Sequence, residues 1–272
     1  MVSCTVCDGE SRRIEHEISG FAIARCLDCG MVYAARHPSE QELSALYDSD
    51  GYFRGDEWYR DYLGHEESYR RLARRVLERI RRQLPLGGRL LDVGSAAGFM
   101  LDEAQNAGFD VLGVEPNARM GAWARERFGV AVRTGTFPSA AEGIGPFDVV
   151  TFGDSLEHLI DPRAALEAAR ALLSPGGLIA IHTPNVDSRL AHWLGRRWPH
   201  FTPPEHLWFF APATLTRLLG RTGFRVLEQR TLGHWWSLGE LSSRLLRAPT
   251  HGWQGPLLYL DVGDLFVLAH AA

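Results

Sequence analysis

Lysine is absent from this chain: its 29 basic residues are all arginine. Chemistry that needs a lysine amine, such as Schiff-base formation, is therefore excluded. No segment approaches the roughly 18 consecutive apolar residues of a membrane span. The opening Met-Val-Ser-Cys-Thr has neither a basic region nor an apolar core. It does not read as a secretion signal, and a cytoplasmic chain is expected. An excess of positive charge is also lacking. The formal net charge is −4, which weighs against a nucleic-acid enzyme. What is present suits a globular enzyme: 272 residues, 45% hydrophobic, enough for one large domain with an appendage.

Cysteine is scarce, and its placement is informative. The four residues fall as Cys4-x-x-Cys7, eighteen intervening residues, then Cys26-x-x-Cys29. This is zinc-ribbon spacing, in which two knuckles offer four thiolates tetrahedrally to a structural Zn²⁺. Gly9 and Gly30 lie just past each pair, where tight turns need them. Disulfides or free thiols are the alternative, and disulfides do not suit a cytoplasmic chain. Four sulfurs leave no open coordination position, so such a zinc is structural.

Residues 90–101, Leu-Leu-Asp-Val-Gly-Ser-Ala-Ala-Gly-Phe-Met-Leu, say most about function. An apolar run ends in a Gly94-x-x-x-Gly98 turn, and a helix-compatible stretch follows. Free backbone N–H groups at a helix start receive polar or charged ligands, and glycine lets the backbone approach them. A second apolar run, Val111 to Val114, ends at Glu115, 21 residues after Gly94. An acid at that distance suits a ribose diol. Position 96 is alanine, so the pattern departs from the dinucleotide fingerprint Gly-x-Gly-x-x-Gly.

From Leu86 onward strand and helix patterns alternate. Strands are expected at 89–93, 110–114, 130–132, 147–152 and 177–182. Helices are expected at 97–107, 117–128, 155–158 and 162–173. A helix at 212–222 and strands at 224–231 and 263–269 close the chain. Such alternation implies a parallel sheet covered by helices, an α/β fold with ligand loops at the strands' carboxyl ends. An insertion at about 233–262 carries Trp235, Trp236 and Trp253 and a helical piece around 238–246. It reads as a lid, a partner surface or a passive elaboration. Between cysteines and sheet, 36–84 is rich in aromatics (Tyr47, Tyr52, Phe53, Trp58, Tyr59, Tyr62, Tyr69). A short helix from Ser39 to Tyr47 opens on a capping box. An amphipathic helix over 70–84 turns Leu72, Val76, Leu77 and Ile80 to one side and arginines to the other.

The run Asp92-Val93-Gly94-Ser95-Ala96-Ala97-Gly98 resembles motif I of the class I S-adenosylmethionine (SAM) methyltransferases. Glu115-Pro116-Asn117 resembles their ribose-binding strand end, and Arg133 to Phe137 their adenine-side loop. Phe147 to Asp154 resembles their fourth strand, and Leu172-Leu173-Ser174-Pro175-Gly176-Gly177-Leu178 the turn before their fifth. The adenine-side loop has no acid between Thr134 and Ala141, so backbone near Thr136 and Phe137 is expected to replace it. Cys26-Leu27-Asp28-Cys29-Gly30-Met31-Val32-Tyr33, Leu46-Tyr47 and Tyr52-Phe53 resemble a bacterial subfamily whose zinc ribbon leads into aromatics that close over SAM and substrate. Tyr47 and Tyr52 are the candidates for that role. The resemblance implies a Rossmann-like methyltransferase fold, a parallel sheet ending in an antiparallel hairpin, plus the small N-terminal ribbon. The division it implies is a ribbon at 1–35, a helical linker or cap at 36–84 and a SAM-dependent methyltransferase domain at 85–272. Asp92, Gly94, Ser95, Ala96, Gly98, Glu115, Pro116, Thr136, Phe137, Gly153 and Asp154 would surround the cofactor.

Catalysis is expected after the fourth strand of that series, in Asp154-Ser155-Leu156-Glu157-His158. A helical turn from Ser155 would put Asp154, Glu157 and His158 on one face. A capping box between Asp154 and Glu157 competes with that reading. The Glu-His dipeptide resembles small-molecule O-methyltransferases of the ubiquinone-biosynthesis type, which use such a histidine as general base. Glu205-His206-Leu207-Trp208-Phe209-Phe210, with Pro212-Ala213-Thr214-Leu215, resembles the zinc-ribbon subfamily again. A more distant resemblance, to 2′-O-methyltransferases of small-RNA ends, implies Mg²⁺ or another divalent ion on Asp154, Glu157, His158 and His206. The metal-free base, His158 or His206, is preferred. His182, His192 and His200 are expected to be structural or peripheral. Trp-rich segments at 193–210 and 235–236 would line the acceptor pocket. The expected partner is a small-molecule acceptor, a glycan or secondary metabolite. An RNA methyltransferase and a non-catalytic SAM-binding scaffold remain the alternatives.

Overall fold

The computed structural model describes residues 2–39, 42, 62–239 and 255–272. Three short strands start the chain: β1 Arg12–Ile18, β2 Phe21–Cys26 and β3 Val32–Ala34. Helix α1, Glu66–Gln83, leads into β4 Arg89–Val93, α2 Phe99–Asn106, β5 Asp110–Glu115, α3 Ala118–Phe128 and β6 Ala131–Thr134. Then come β7 Phe147–Gly153, α4 Pro162–Leu172, β8 Leu173–Thr183, α5 Arg189–Leu194, β9 Trp208–Phe209 and α6 Pro212–Arg221. Strands β10 Phe224–Thr231, β11 His234–Ser237, β12 Leu257–Leu260 and β13 Leu265–Ala271 complete it.

Seven strands form the central sheet in the order β10-β13-β8-β7-β4-β5-β6. The five from β4 to β8 run parallel, and β13 lies antiparallel between β8 and β10. This is the expected parallel sheet with its antiparallel close. Period-two alternation sends Leu91, Val150, Ile179 and Val267 to one face and Leu90, Val149, Leu178 and Leu268 to the other. The first face packs on α4, α6 and the cysteine segment, and the second on α1, α2 and α3.

Several boundaries differ from expectation: α1 begins four residues earlier, at Glu66, β13 lies two residues later, at Leu265–Ala271, and two others have local reasons. Strand β8 begins at Leu173 because Leu173 pairs with Phe147 across a register shift. Helix α2 begins at Phe99 because Gly98 holds a left-handed φ of +76° as its cap. The capping box before the linker is present: Ser39 N donates to Glu42 Oε2 at 2.7 Å and Glu42 N to Ser39 Oγ at 3.2 Å. The remainder of that short helix lies outside the described residues. So do Tyr47, Tyr52, Phe53, Trp58 and Tyr59, and most of the helical piece after Ser237. The described part of the insertion is the β11–β12 hairpin.

The cysteine segment is built into the larger fold. Strand β3 pairs with β9, so a four-stranded sheet β1-β2-β3-β9 spans both. Cys4, Val6, Cys26, Met31 and Tyr33 share one apolar cluster with Leu91, Val150 and Leu215. Arg163 of α4 donates to Thr5 O and Asp8, and Arg221 of α6 to Asp8.

Candidate functional site

The glycine loop leaves β4 at the carboxyl edge of the sheet, where ligands of open α/β sheets bind. Gly94 has φ +77°, and a Cβ there would meet Ser155 Cβ at 2.7 Å, so glycine is required twice over. Ala96 holds φ +44°, a left-handed conformation that costs an L-residue about 1–2 kcal/mol. That conformation aims its N–H at Glu115 Oε2, 2.7 Å away. Asn117 N donates to the other oxygen at 2.8 Å. Glu115 therefore clamps the loop to the end of β5. Burial pushes its carboxyl up to about 7, against the pull of both N–H groups. Asp92 beneath accepts from Thr151 Oγ1 at 2.6 Å, and burial raises it to about 6.

The Ser95 side chain turns inward. Its Oγ is buried without a partner and lies only 2.5 Å from where a Cβ on Gly113 would be, so the side chain packs between the loop and β5. In the adenine-side loop Thr136 is exposed, whereas Phe137 turns inward, edge-on to Phe152 at 5.9 Å. Pro116 is half-buried, and Gly153 is exposed at the end of β7.

The catalytic segment is divided in two. Asp154 takes a left-handed φ of +48° and the following turn is a short 3-10 helix, Leu156–His158. The expected shared face for Asp154, Glu157 and His158 is therefore not formed, and neither is a capping box. Asp154 turns to His182 Nδ1 at 2.9 Å and His234 Nε2 at 3.4 Å. His182 Nε2 donates to Leu232 O at 2.9 Å. With a carbonyl on one nitrogen and a carboxylate on the other, His182 is satisfied as the imidazolium. Its pKa rises to about 9 despite burial, through the Asp154 charge and hydrogen bond. The partner ion pulls Asp154 below the usual carboxylate range. The four-ligand site expected on Asp154, Glu157, His158 and His206 is thus not assembled as a unit.

Glu157, His158 and His206 do converge, all buried, with ligand atoms within 4.8 Å of one another. The His158 and His206 rings meet edge to face at 4.6 Å. His206 Nδ1 donates to His200 O at 2.9 Å, which leaves Nε2 with its lone pair. Desolvation pushes His158 down to about 4 and His206 well below its ordinary value, so both are neutral near pH 7. Neither oxygen of Glu157 has a hydrogen-bond partner, and burial raises its carboxyl to about 8.

A mostly apolar cavity of about 180 Å³ is lined by Trp198, His200, Trp236, Leu260 and Asp264 among others. Of the expected aromatics, Trp198 and Trp236 reach it. Trp193 is 81% exposed and Trp235 packs on Tyr259. Tyr62 stacks on Tyr69 at 4.3 Å and on Phe99 at 5.6 Å, and its phenol feels the charges of Asp92, Glu115 and Asp154. The structure thus adds His182, His234 and Tyr62 to the residues around the cleft. A polar residue at the carboxyl end of a parallel strand was the available signal for His182.

The four cysteines close on one point. Cys4 and Cys29 Sγ lie 3.4 Å apart, as do Cys7 and Cys26, and all four lie within 4.8 Å. Zn–S bonds of about 2.3 Å in a tetrahedron space sulfurs about 3.8 Å apart, so the set fits that ion. The arginine face of α1 is engaged within the chain. Arg70 binds Glu66, Asp102 and Glu103, Arg74 binds Glu103, and Arg79 binds Glu228.

Comparison with known proteins places these features. A family profile described as "Methyltransferase domain" matches residues 65–229. A ubiquinone biosynthesis O-methyltransferase of Cereibacter sphaeroides is 33% identical over 165 residues, covering 54% of this chain and 64% of that protein. The chain thus spans just under two thirds of the curated relatives of this kind. A probable SAM-dependent methyltransferase of Mycolicibacterium smegmatis is 28% identical over 76% of this chain and 74% of its own length. Among solved structures, the 1,6-didemethyltoxoflavin-N1-methyltransferase of Burkholderia thailandensis superposes with TM-score 0.58 at 20% identity, covering 96% of this chain and 99% of that one.

Proposed function

Because the chain belongs to the class I SAM-dependent methyltransferases and resembles the ubiquinone-type O-methyltransferases, we propose that it methylates a hydroxyl of a small molecule, with a histidine as base. The observation that carries this reading is the buried Glu115 carboxylate holding the glycine loop through Ala96 N and Asn117 N. It leaves acceptor lone pairs for a ribose diol at the sheet edge where such ligands bind. Gly94 and Gly98 let the loop backbone meet the methionine end, and Thr136 lies on the adenine side.

The sulfonium of the cofactor supplies an electrophilic methyl group. The protein's own task is to orient the acceptor oxygen and remove its proton. His206 and His158 are neutral, so each ring keeps one nitrogen as acceptor, Nε2 in His206 because its Nδ1 donates to His200 O. One of them would take the acceptor hydroxyl's proton, while the cofactor held at the glycine loop would supply the methyl group and keep the released electron pair on its sulfur. Asp154, tied to the His182 imidazolium, serves as a fixed charge near the cleft and not as the base. The four cysteines are read as a structural zinc site.

A second reading of the same cluster rests on Glu157. Two buried carboxylate oxygens without partners, beside two imidazole nitrogens, suit a divalent ion on Glu157, His158 and His206. The RNA alternative is weakened by the paired arginines of α1. An intact Glu115 clamp weighs against a non-catalytic scaffold.

The test is transfer of labelled methyl from SAM to a panel of hydroxyl-bearing metabolites by wild type, His158→Gln and His206→Gln. Loss of a general base lowers kcat by about 10²–10⁴-fold, with cofactor affinity preserved. Unchanged kcat in both variants would remove histidine catalysis. Chelation that abolishes turnover while the cysteine-bound zinc stays in place would favour the divalent-ion reading.

A further inference from the structure

Strand β9 has two residues, and its one strand partner among the described residues is β3 of the cysteine ribbon. A strand that short does not hold itself in place. Leu207 is gripped from both sides: Ala34 N donates to Leu207 O at 2.8 Å, and Leu207 N donates to Glu157 O at 2.9 Å. Trp208 is fixed similarly. Its Nε1 donates to Leu159 O at 2.9 Å, and its ring meets Tyr33 at 5.6 Å and His37 at 4.9 Å. His206 immediately precedes this doubly held pair. Its ring faces His158, on the same segment that receives Leu207 N. His206 is also held locally, its N donating to Thr202 O at 3.2 Å and its Nδ1 to His200 O at 2.9 Å, so the β3–β9 pairing is the ribbon's share in placing the ring.

The cysteines determine where β3 lies. Strand β2 ends at Cys26, whose N donates to Met31 O at 2.8 Å, and Gly30 N donates to Cys26 O at 3.0 Å. This knuckle turns the chain directly into Val32. The other knuckle is tied to α4 and α6, with Asp8 receiving Arg163 at 2.6 Å and Arg221 at 2.7 Å. Anchored at both knuckles, the ribbon is poorly suited to act as a swinging arm that captures substrate.

We propose that the ribbon is a positioning element of the methyl-transfer site: through the β3–β9 pairing it holds His206 in register against Glu157 and His158. The catalytic consequence rests on the function proposed above, whereas the positioning itself does not. Ala34 is the positioning residue whose loss is most specific, because its N–H reaches Leu207 O and no cysteine is touched.

The experiment uses the full chain loaded with zinc, as wild type and Ala34→Pro, which removes that N–H. The first readout needs no acceptor. The ring Nδ1–H proton of His206, assigned by its disappearance in His206→Gln, is followed by NMR because it donates to His200 O. In Ala34→Pro the resonance shifts or exchanges away, while zinc content and S-adenosylhomocysteine affinity stay within about twofold. Where turnover is measurable, kcat falls by about 100-fold with KM for SAM unchanged, as expected for a displaced catalytic group. The same pattern follows zinc removal by a chelator and reverses on adding zinc back. An unshifted His206 resonance in both samples overturns the proposal. Loss of the fold together with cofactor binding on either treatment overturns it too, because the ribbon would then be a general stabiliser. Absence of turnover with every acceptor leaves the NMR result to decide positioning and counts against the proposed reaction alone.

Discussion

His182 carries a proton that the unfolded chain would release. Asp154 Oδ1 and Leu232 O each require an N–H from its ring, and its pKa is lifted from 6.5 to about 9. The stabilisation from this group is full below about pH 6.5 and is lost as the pH rises through 9. Thermal melts between those limits should show stability falling with pH in wild type and a flatter profile in His182→Gln. Parallel profiles would mean that the imidazolium is not present. At this scale the sequence was legible where the chemistry is local. Gly94, Gly98 and Glu115 lie where their spacing placed them, because a strand–turn–helix unit fixes them within one short stretch. The Asp154–His182–His234 cluster was not legible, since β7, β8 and the β11 hairpin supply one residue each and no local spacing relates them. Nor did spacing reveal that Asp154 would adopt φ +48° and separate from Glu157.

Helix α3 begins beside the Glu115 clamp, and its cap is part of that clamp. Asn117 Oδ1 accepts from Arg119 N and Met120 N at 3.0 Å each, while Asn117 N is held by Glu115. Replacing it with alanine should cost about 1 kcal/mol of stability, read as a shift of the urea midpoint. A loss much below that would mean the cap is replaced by solvent. Whereas the six-residue helix α5, Arg189–Leu194, was too short to show a period, most strand and helix positions in 89–231 were legible because apolar alternation and turn residues mark them. The Ser39–Glu42 box was legible for the same reason. The two-residue β9 was not, since a pair of apolar residues has no period, and only the partner strand β3 makes it a strand. The β11–β12 hairpin was hidden within what read as an insertion, its two strands separated by residues outside the described set.

Across the whole molecule, the parallel sheet with its antiparallel close and the gathering of the four cysteines agree with what the sequence implied. The ribbon packs directly on the larger domain. One apolar cluster runs from Cys4 and Tyr33 through Leu91 to Leu219, and Arg163 and Arg221 join α4 and α6 to Asp8. Cross-domain packing of this kind is set by three-dimensional complementarity, which hydrophobic periodicity in one dimension does not encode. The Glu115 clamp and the Asp154–His182 pair lie at the carboxyl ends of β5, β7 and β8, on one edge of the sheet. The claim that unites them is that Glu115 and the glycine loop bind SAM. Calorimetric titration of S-adenosylhomocysteine into the folded, zinc-loaded protein and its Glu115→Ala variant tests it most directly. The account predicts a Kd on the order of micromolar for the wild type, weakened about 100-fold or more by the substitution. No binding by the wild type, or equal binding by both proteins, would contradict it.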